Sequence, residues 1–450
     1  MADFLSLHTA LSGILAARAG VETTSHNVAN AHSTGYTRQR VTQLSREYGH
    51  QASYGTIGTG TTIDGITRAR NEFLDMRVRA GLGLSAGLDV RASLLAQVEE
   101  ALAEPELGVS AALADTWNAF EELSLSPTDP AARRNVISTL QALTVRINTV
   151  AVGWNRVAAD AHVSVQQDVG EVNRLLEEVA GLNDAIRRST GLTTPNDLYD
   201  RRDLALDRLA ELIGATSREM EDGTVKVSVN GLTVVQGDRV NELTWDAESL
   251  RVMHPSNVEL TPGGAVAEYK RFLEVELPTR QAEFDQFVAT LVEALNSRHT
   301  SGTYGPGLPG EELFAPDATA FTLTLVMTDP DRLAASGDPF ATHDGSNAAS
   351  LAALREEPIL GDGRALDQIW REIVTDIGVS ARTALDGASA QAGLQNAAEL
   401  ARLGAHGVSI DEEMVALIEY QHAYQASARI MTAVDELLDQ LITRTGLVGR

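Results

Sequence analysis

Both ends of this 450-residue chain have the pattern of long amphipathic helices that need a partner. At the N-terminal end, residues 4–29 place apolar side chains on a 3-4 spacing that Arg18 and Ser25 interrupt. These side chains are Phe4, Leu7, Leu11, Ile14, Val21 and Val28. A single helix of this kind is marginal in water, so its stability depends on burying the apolar stripe against another helix.

The C-terminal segment has a matching pattern. Ser409 and Glu412 form a capping-box signature at its start. A 4-3 repeat, which Leu437 and Leu441 widen, then runs through Ile410, Met414, Leu417, Gln421, Tyr424, Ala428, Met431, Asp435, Leu438 and Ile442. A coiled coil of the two terminal helices, within one chain or between chains, would bury both stripes, and we predict this arrangement.

Between the two ends the pattern changes from helical to β and back. Helix is predicted over most of residues 71–189, with Asp129 as an N-cap and Pro130 at the first helical position. After residue 215 the apolar spacing alternates, and Asn230-Gly231 between two alternating runs indicates a β-hairpin. A long helix kinked near Pro278 follows, then a strand at FTLTLVMT. From about Leu366 the pattern is helical again.

These elements predict a mainly α chain with a β-containing insert, an α+β fold. A chain of this length is too long for one ordinary core. We expect three parts: a terminal coiled-coil assembly domain of residues 1–35 with 408–450, a helical-bundle domain of residues 36–214 with 346–407, and a β-rich outer lobe of residues 215–345 that also holds a long helix.

The charge distribution excludes some classes of protein. A net charge of -26 argues against a general binder of nucleic acid or anionic membranes, because phosphate contacts need clustered Lys and Arg. Residues 1–46 carry four arginines and two acids, whereas residues 410–450 carry seven acids and three arginines. These opposite signs fit ends that lie side by side, and on charge alone they fit two independent solvated faces equally well.

Cysteine usage and hydropathy limit the chain further. Without cysteine there is neither a disulfide framework nor a thiolate metal site. No segment approaches the ~18 consecutive apolar residues of a membrane span, so no membrane insertion is expected. The start, MADFLSLHTALSG, has an acid where a cleaved secretory signal has a basic region.

The sequence contains fragments of catalytic and binding motifs but no complete one. Gly83–Gly87 matches G-x-S-x-G, yet the preceding residues are helical rather than β. His26 and His32 are spaced too irregularly for a metal site, and Gly58–Thr62 lacks the third glycine of a dinucleotide loop. Asp344–Asn347 is better interpreted as a helix N-cap than as a calcium loop. We therefore expect no catalytic residue, no cofactor and no metal.

The most specific segment is SHNVANAHSTGYTRQR, residues 25–40. Its Asn-Val-Ala-Asn followed by Ser-Thr-Gly-Tyr closely resembles the motif shared by flagellar rod, hook and hook-associated axial proteins. The continuation Tyr-Thr-Arg-Gln resembles the hook-associated protein 1 family, whereas rod and hook proteins usually continue Gly-Phe-Lys. GVSIDEE, QHAYQASAR and NDLYDRRDLALDRLAELIG resemble the same family, so the resemblance covers nearly the whole chain.

This resemblance implies a structural subunit of the bacterial flagellum that forms a ring at the hook–filament junction and allows flagellin to assemble on the hook. The implied partners are other copies of the chain, hook protein, hook-associated protein 3, and a cytoplasmic export chaperone that binds the C-terminal region. The implied location is the extracellular flagellum, reached by flagellar type III export without a cleaved signal peptide.

Two sets of site residues follow. The apolar stripes are predicted to form subunit interfaces, through Phe4, Leu7, Leu11, Ile14, Val21, Val28, Met414, Leu417, Tyr424, Met431, Leu438 and Ile442. The turn after the first helix is predicted to depend on Asn27, Asn30, Gly35, Tyr36, Arg38 and Gln39. Positive φ is expected at Asn30 and Gly35, and Arg38 and Arg40 are expected to reach the acidic C-terminal helix of the same or a neighbouring subunit.

Other interpretations remain open at this stage. A hook or distal-rod protein shares both terminal motifs, although Tyr-Thr-Arg-Gln at 36–39 and Asp-Glu-Glu at 411–413 argue against it. A hydrolase using Ser85 is a different class. A Ser85→Ala variant that leaves motility and assembly unchanged, with no hydrolysis to lose, would favour the structural subunit instead. A soluble helical binding protein that does not polymerise is disfavoured by the paired terminal stripes.

Overall fold

The structure is a computed structural model that describes residues 2–46, 50–52, 55–189, 195–341, 343–359 and 363–444. For residues 2–5, 50–52, 55–57, 441 and 444 only the backbone is described. Within these residues the helices are, in chain order, α1 (Ala2–Asn30), α2 (Glu72–Leu102), α3 (Val109–Leu125), α4 (Pro130–Ser189), α5 (Asn196–Ile213), α6 (Gly264–Arg271), α7 (Leu277–Ser301), α8 (Ser346–Ala353), α9 (Leu366–His406) and α10 (Ile410–Arg444).

The strands form small antiparallel sheets. They are β1 (Gln39–Ser45), β2 (His50–Ala52), β3 (Gly55–Ile57), β4 (Thr61–Arg68), β5 (Thr216–Glu219), β6 (Val225–Val229), β7 (Leu232–Gln236), β8 (Arg239–Val240), β9 (Thr244–Asp246), β10 (Arg251–His254), β11 (Val258–Leu260), β12 (Thr303–Gly305) and β13 (Leu308–Pro309). Strands β5 to β8 form one four-stranded sheet in chain order, β10 lies between β9 and β11, and the pairs β1–β4, β2–β3 and β12–β13 are two-stranded. The predicted α+β fold with paired terminal helices is confirmed.

The chain divides into two compact units. The first, here called the terminal unit, contains Met1–Gly83, Val172–Glu242 and Gly393–Arg450. The second, the central unit, contains Leu84–Glu171 and Leu243–Ala392. The β5–β8 sheet belongs to the terminal unit and the β9–β11 sheet to the central unit. This two-way division does not decide the three-part division expected from the sequence, which stays a prediction.

An aromatic core holds the central unit together. The Phe284 ring packs against the rings of Trp154 and Trp370, with centroids 5.4 and 5.3 Å apart. Both indoles are fully buried, so their N–H groups need acceptors. Trp154 donates to the Val98 carbonyl at 3.0 Å, and Trp370 donates to the Glu104 carboxylate at 2.9 Å. Each large ring is therefore fixed at both its apolar face and its polar edge.

Helix α4 is long and apolar enough to cross a membrane by length and composition alone, and it is the one such helix among the described residues. Core helices of globular units pass the same test. Val136, Leu140, Ile147 and Trp154 of α4 are buried within the central unit, as expected of a core helix.

Several local predictions are confirmed. Asn230 and Gly231 both have positive φ, 45° and 84°, and connect β6 to β7 as a hairpin. Asp129 caps α4 by accepting the Ala131 N–H at 2.9 Å. The irregularity expected near Pro278 is a π-helical turn at Phe272–Glu276, which precedes α7.

The strand predicted at FTLTLVMT is wrong. Residues 321–328 contribute only an isolated bridge between Leu325 and Phe314. Both the Val326 and Met327 N–H groups donate to the single carbonyl of Leu313, so no ladder forms. Alternating apolar residues predicted a strand, but Leu323 and Met327 instead fill the helical core of the central unit.

His299 is a buried histidine whose protonation state the fold fixes. Its Nε2 accepts the Ala334 N–H at 2.9 Å, so the proton must lie on Nδ1, which donates to the Glu311 carbonyl at 2.5 Å. Burial lowers the pKa of His299 below its ordinary value of 6.5. A second proton would remove the acceptor that Ala334 needs.

We therefore predict a loss of stability in acid. Below about pH 6.5 the unfolded chain binds a proton at His299 that the folded chain excludes, so the free energy of unfolding falls as pH decreases, by at most about 1.4 kcal/mol per pH unit. All four tryptophans lie in the central unit, so tryptophan fluorescence during chemical denaturation measures this unit. The non-titrating His299→Gln variant should have a flatter pH profile than the parent, and identical profiles would contradict this assignment.

Candidate assembly site at the joint of the terminal helices

Helices α1 and α10 pack antiparallel in a regular register. Gly13 lies against Ser427, Gly20 lies against Tyr420, and Asn27 is hydrogen-bonded to Glu413. Each step of seven residues along α1 is matched by a step of seven back along α10. This is the heptad spacing of a coiled coil, and it confirms the predicted pairing of the two ends.

The seam of α1 is made of small residues rather than large apolar ones. The buried residues of α1, which packs against α10 and against strands β1 and β4, are Ala10, Ser12, Ala16, Ala17, Gly20, Thr23, Thr24 and Asn27. A Cβ added at Gly13 would lie 2.7 Å from the Ser427 hydroxyl, and one added at Gly20 would overlap the Tyr420 ring. The two helix backbones therefore approach more closely than a leucine seam would allow.

The predicted interface residues lie beside this seam. Ile14, Val21 and Val28 each follow a seam residue by one position, which rotates them by about 100° around α1. Among the predicted interface residues, the half-buried ones are Leu7, Ile14, Val21, Val28, Leu417, Met431 and Leu438. The exposed ones are Leu11, Met414, Tyr424 and Ile442. The Phe4 side chain lies outside the described residues. Their role as subunit-interface residues stays a prediction.

The close approach generates a test. Gly20→Ala should destabilise the helix pair by about 1–3 kcal/mol, because the new methyl group must displace Tyr420. Gly181→Ala is the matched control: Gly181 lies in α4 with open space around its Cα, so alanine should stabilise by about 0.5–1 kcal/mol. Amide hydrogen exchange of α10 in Gly20→Ala and of α4 in Gly181→Ala measures the two effects. Protection of α10 that is unchanged from the parent in Gly20→Ala would contradict the seam.

The end of α1, the turn that follows it and the start of α10 meet at a contact that is here called the joint. Asn27 lies at its centre. Its side chain is 1 % exposed and makes four hydrogen bonds. The amide Nδ2 donates to the Gln39 carbonyl and to the Glu413 carboxylate, both at 2.9 Å. The Oδ1 accepts the Tyr36 hydroxyl at 2.8 Å and the Gln39 N–H at 3.0 Å. Only an amide supplies two donors and two acceptors here, which explains why asparagine occupies this position.

Tyr36 extends this network to His26. Because the Tyr36 hydroxyl donates to Asn27, it must accept from His26 Nδ1 at 2.9 Å, which places the histidine proton on Nδ1. Burial, reinforced by nearby carboxylates of which Asp200 is the foremost, raises the pKa of Tyr36. The hydroxyl therefore stays protonated at physiological pH and remains a donor.

Arg38 connects this joint to α10. Its Nε donates to Glu413 Oε1 at 2.6 Å and its Nη1 donates to Glu412 Oε2 at 2.8 Å. Glu413 is 2 % exposed and shares its second oxygen with Asn27, so a buried charge has both oxygens paired. The contact predicted between Arg38 and the acidic helix is present within the chain. Arg40 is exposed, and among the described residues it forms no ion pair.

The turn itself corrects one expectation. Gly35 has φ +76°, and a Cβ there would overlap Leu204, so glycine is required for both backbone and space. Asn30 was expected to share this conformation, but it is the last residue of α1 and its φ is not positive. Its side chain instead donates to the His26 carbonyl and accepts from Ser33 Oγ, which caps the helix end through side-chain bonds.

The start of α10 uses half of the predicted capping box. The Glu412 N–H approaches Ser409 Oγ at 3.5 Å, and the Glu413 N–H donates to the Ser409 carbonyl at 2.9 Å. The Glu412 carboxylate, which would bond back to the helix start in a full capping box, is paired with Arg38 instead.

A row of aspartates on α5 supports the joint from the other side. Asp200, Asp203 and Asp207 follow one helix face at spacings of three and four residues. Asp200 accepts the Thr37 N–H at 3.2 Å and pairs with Arg68 at 2.8 Å. Burial raises the pKa of Asp203, but the guanidinium groups of three surrounding arginines outweigh it and hold that pKa below its usual value. These arginines are Arg68, Arg70 and Arg79.

The sequence indicated this row only as part of a resemblance. The i, i+3, i+7 spacing of the aspartates in NDLYDRRDLALDRLAELIG was available as a signal, since it puts three acids on one face opposite the arginines of β4 and α2. Glu413 gave no such signal, because nothing in the sequence distinguishes a buried acid from the two exposed acids before it.

We predict that the two neighbouring glutamates differ sharply. Glu413→Ala leaves Arg38 and Asn27 without a buried partner and should destabilise the docking of α10 by about 3 kcal/mol. Glu412→Ala removes an exposed carboxylate and leaves Arg38 paired with Glu413, which should cost less than about 1 kcal/mol. Hydrogen exchange of α10 and β1 compares the two variants. Equal protection would contradict the burial assigned to Glu413.

The motif fragments do not assemble into a chemical site. Gly83–Gly87 lies inside α2, so Ser85 lacks the strand-to-helix turn of a nucleophile elbow. Gly83 is instead a packing glycine, whose Cβ would lie 2.7 Å from the Ala210 carbonyl oxygen. Within the described ranges, no cluster of three or more histidine, aspartate or glutamate side chains could hold a metal ion.

Comparison with known proteins finds similarity to flagellar axial proteins. Residues 95–314 match the family model of the flagellar hook-associated protein FlgK helical domain, and residues 402–444 match that of the flagellar basal body rod FlgEFG protein C-terminal region. Flagellar hook-associated protein 1 of Bacillus subtilis (strain 168) is 28 % identical over 511 aligned positions, covering 99 % of each chain. Its counterpart from Salmonella typhimurium is 22 % identical, covering 97 % of this chain and 99 % of the relative.

A solved structure agrees at the level of the fold. The flagellar hook junction protein FlgK from Burkholderia pseudomallei superposes with a TM-score of 0.66 at 14 % identity, covering 74 % of this chain and 100 % of that chain. Paired terminal helices and a rod-type C-terminal segment define a flagellar axial structural protein. Over nearly its whole length the chain is similar to flagellar hook-associated protein 1.

Proposed function

We propose that this chain is the structural subunit of the hook–filament junction, on which flagellin assembles into a filament. The support is the near-complete alignment with hook-associated protein 1 relatives at both ends of the chain. The match to the rod-type model is confined to residues 402–444, which axial proteins share, so it gives no preference to a hook or rod protein.

The observation that carries this proposal is the helix pair that the two chain ends form. After pairing, large apolar side chains remain exposed on α1 and α10, among them Leu15, Ile418, Ile430 and Leu437, each 50–56 % exposed. Exposed apolar side chains on an acidic chain indicate a surface that another protein covers. Neighbouring copies in a ring would cover it, together with the predicted interface residues Leu11, Met414, Tyr424 and Ile442.

The finer parts of the proposal follow from the same assignment. The partners are further copies of the chain in a ring, hook protein on one side and hook-associated protein 3 on the filament side. A cytoplasmic export chaperone holds the C-terminal region before flagellar type III export to the extracellular flagellum. The protein has no enzymatic role. It is divided into the three parts predicted above, a coiled-coil domain, a helical domain and an outer lobe.

Deletion of the gene tests the function. Cells without the chain should still build hooks but should release unpolymerised flagellin into the medium and lack filaments. Electron microscopy of hooks and immunoblots of the medium measure both effects. The intact gene should restore filaments, and so should a Ser85→Ala version, because no hydrolysis is involved. Normal filaments in the deletion strain would overturn the proposal.

A further inference from the structure

Two helix faces of the terminal unit are exposed and apolar, and the joint described above does not use them. The first is the α2 stripe, defined as Phe73, Met76 and Ala80, in which Phe73 is 67 % and Met76 59 % exposed. Large apolar side chains exposed at helical spacing indicate a docking surface rather than a solvated face. Arg77, also exposed, lies beside this stripe.

The second face lies on the last three turns of α9. Its exposed residues carry no charge, although 22 % of the chain is charged. We define this α9 face as Leu394, Ala397, Leu400, Ala401, Leu403 and Gly404. The charged residues of this segment, Glu399 and Arg402, are directed inward, where Arg402 bridges Glu399 and Asp207 at 2.9 and 2.7 Å.

The two faces point in opposite directions. Helices α2 and α9 contact each other where Gln395 donates to the Val78 carbonyl at 3.4 Å. At 100° per residue, the α2 stripe lies about 140–200° around its helix from Val78. Leu400, Ala397 and Gly404 lie about 140–200° around α9 from Gln395. The α2 stripe and the middle of the α9 face are therefore turned away from the other helix, whereas Leu394 and Leu403 form the two edges of the α9 face, about 80–100° around the helix from Gln395.

We propose that, in a ring of copies, the α2 stripe of one copy packs against the α9 face of the next copy. This inference rests on the proposed function and names a contact that the ring would use. Two different faces that meet head to tail form a heterologous interface, which generates a ring when the rotation from copy to copy closes.

Shape and charge both favour a second copy as the occupant. The α2 stripe provides large side chains, and the α9 face provides alanines and a glycine that leave room for them. The chain already uses this kind of packing within itself, where the Tyr420 ring lies over Gly20. With a net charge of -26, two copies repel each other, and an α9 face free of charge adds no close like-charge contact to this repulsion.

Cross-linking tests the contact directly, because the natural chain has no cysteine. In the deletion strain, two differently tagged chains would be produced together, one with Met76→Cys and the other with Leu400→Cys. A short bismaleimide applied to isolated flagella should join the two tags. The matched control replaces Leu400→Cys by Ala159→Cys, an exposed position of α4 in the central unit, and should not cross-link.

A cross-link no stronger than the control, on flagella that carry filaments, would overturn this contact and leave the proposed function intact. Failure of the unmodified gene to restore filaments would instead overturn the proposed function.

A charge-pair experiment covers the case in which the cysteine chains do not assemble. Met76→Glu and Ala397→Lys should each lower the fraction of hooks with filaments, by about fivefold if an apolar contact of about 1 kcal/mol is lost. The double variant Met76→Glu/Ala397→Lys should recover part of this loss, since opposite charges would then meet between copies. A double variant as poor as the product of the two single variants would overturn the proposal. Circular dichroism of the purified chains checks that each variant folds.

Discussion

The close approach of α1 and α10 is the constraint on which the terminal unit depends. Because Gly13, Ala17 and Gly20 lie in the seam, side chains of α10 contact the backbone of α1. The Tyr420 ring, for example, packs directly over Gly20. This close packing brings Asn27 within hydrogen-bonding distance of Glu413. A seam of leucines would hold the helices farther apart and would separate these two side chains.

The hydrogen bonds and ion pairs of the joint then fix the position at which the chain leaves α1 and enters α10. Glu413 is a buried carboxylate, and its pairing with Arg38 and Asn27 offsets the cost of its desolvation. A shift of α10 by one heptad would leave that charge unpaired, so the same residue that stabilises the docked state also specifies its register. The backbone of Arg38 continues this connection, because its N–H donates to the His406 carbonyl at the end of α9. The end of α1, the end of α9 and the start of α10 are thus connected through Arg38 and its neighbours.

Local signals in the sequence predicted the elements whose cause is local. The Asn230-Gly231 hairpin, the Asp129 cap and the Ser409 cap depend on a few neighbouring residues, and all three are present. The strand expected at residues 321–328 fails because a strand needs a partner, which its own residues do not specify. Apolar periodicity indicates Ile14 and Val21 as the helix contacts, whereas the residues that contact α10 are Gly13 and Gly20, one position earlier, which no apolar pattern marks. Glu413 could not be recognised at all, since its burial results from the tertiary register.

One measurement tests the register most directly. An ideal Cβ at Gly13 lies 3.5 Å from the Ser427 Cβ, which is within the range of a disulfide, and the natural chain has no cysteine that could compete. The Gly13→Cys/Ser427→Cys variant should oxidise in air to an intramolecular disulfide, seen as faster migration on a non-reducing gel. The Gly13→Cys/Asp435→Cys variant, displaced by about two helical turns along α10, should keep both thiols. Free thiols in the first variant, or an equally fast disulfide in the second, would contradict the antiparallel seam.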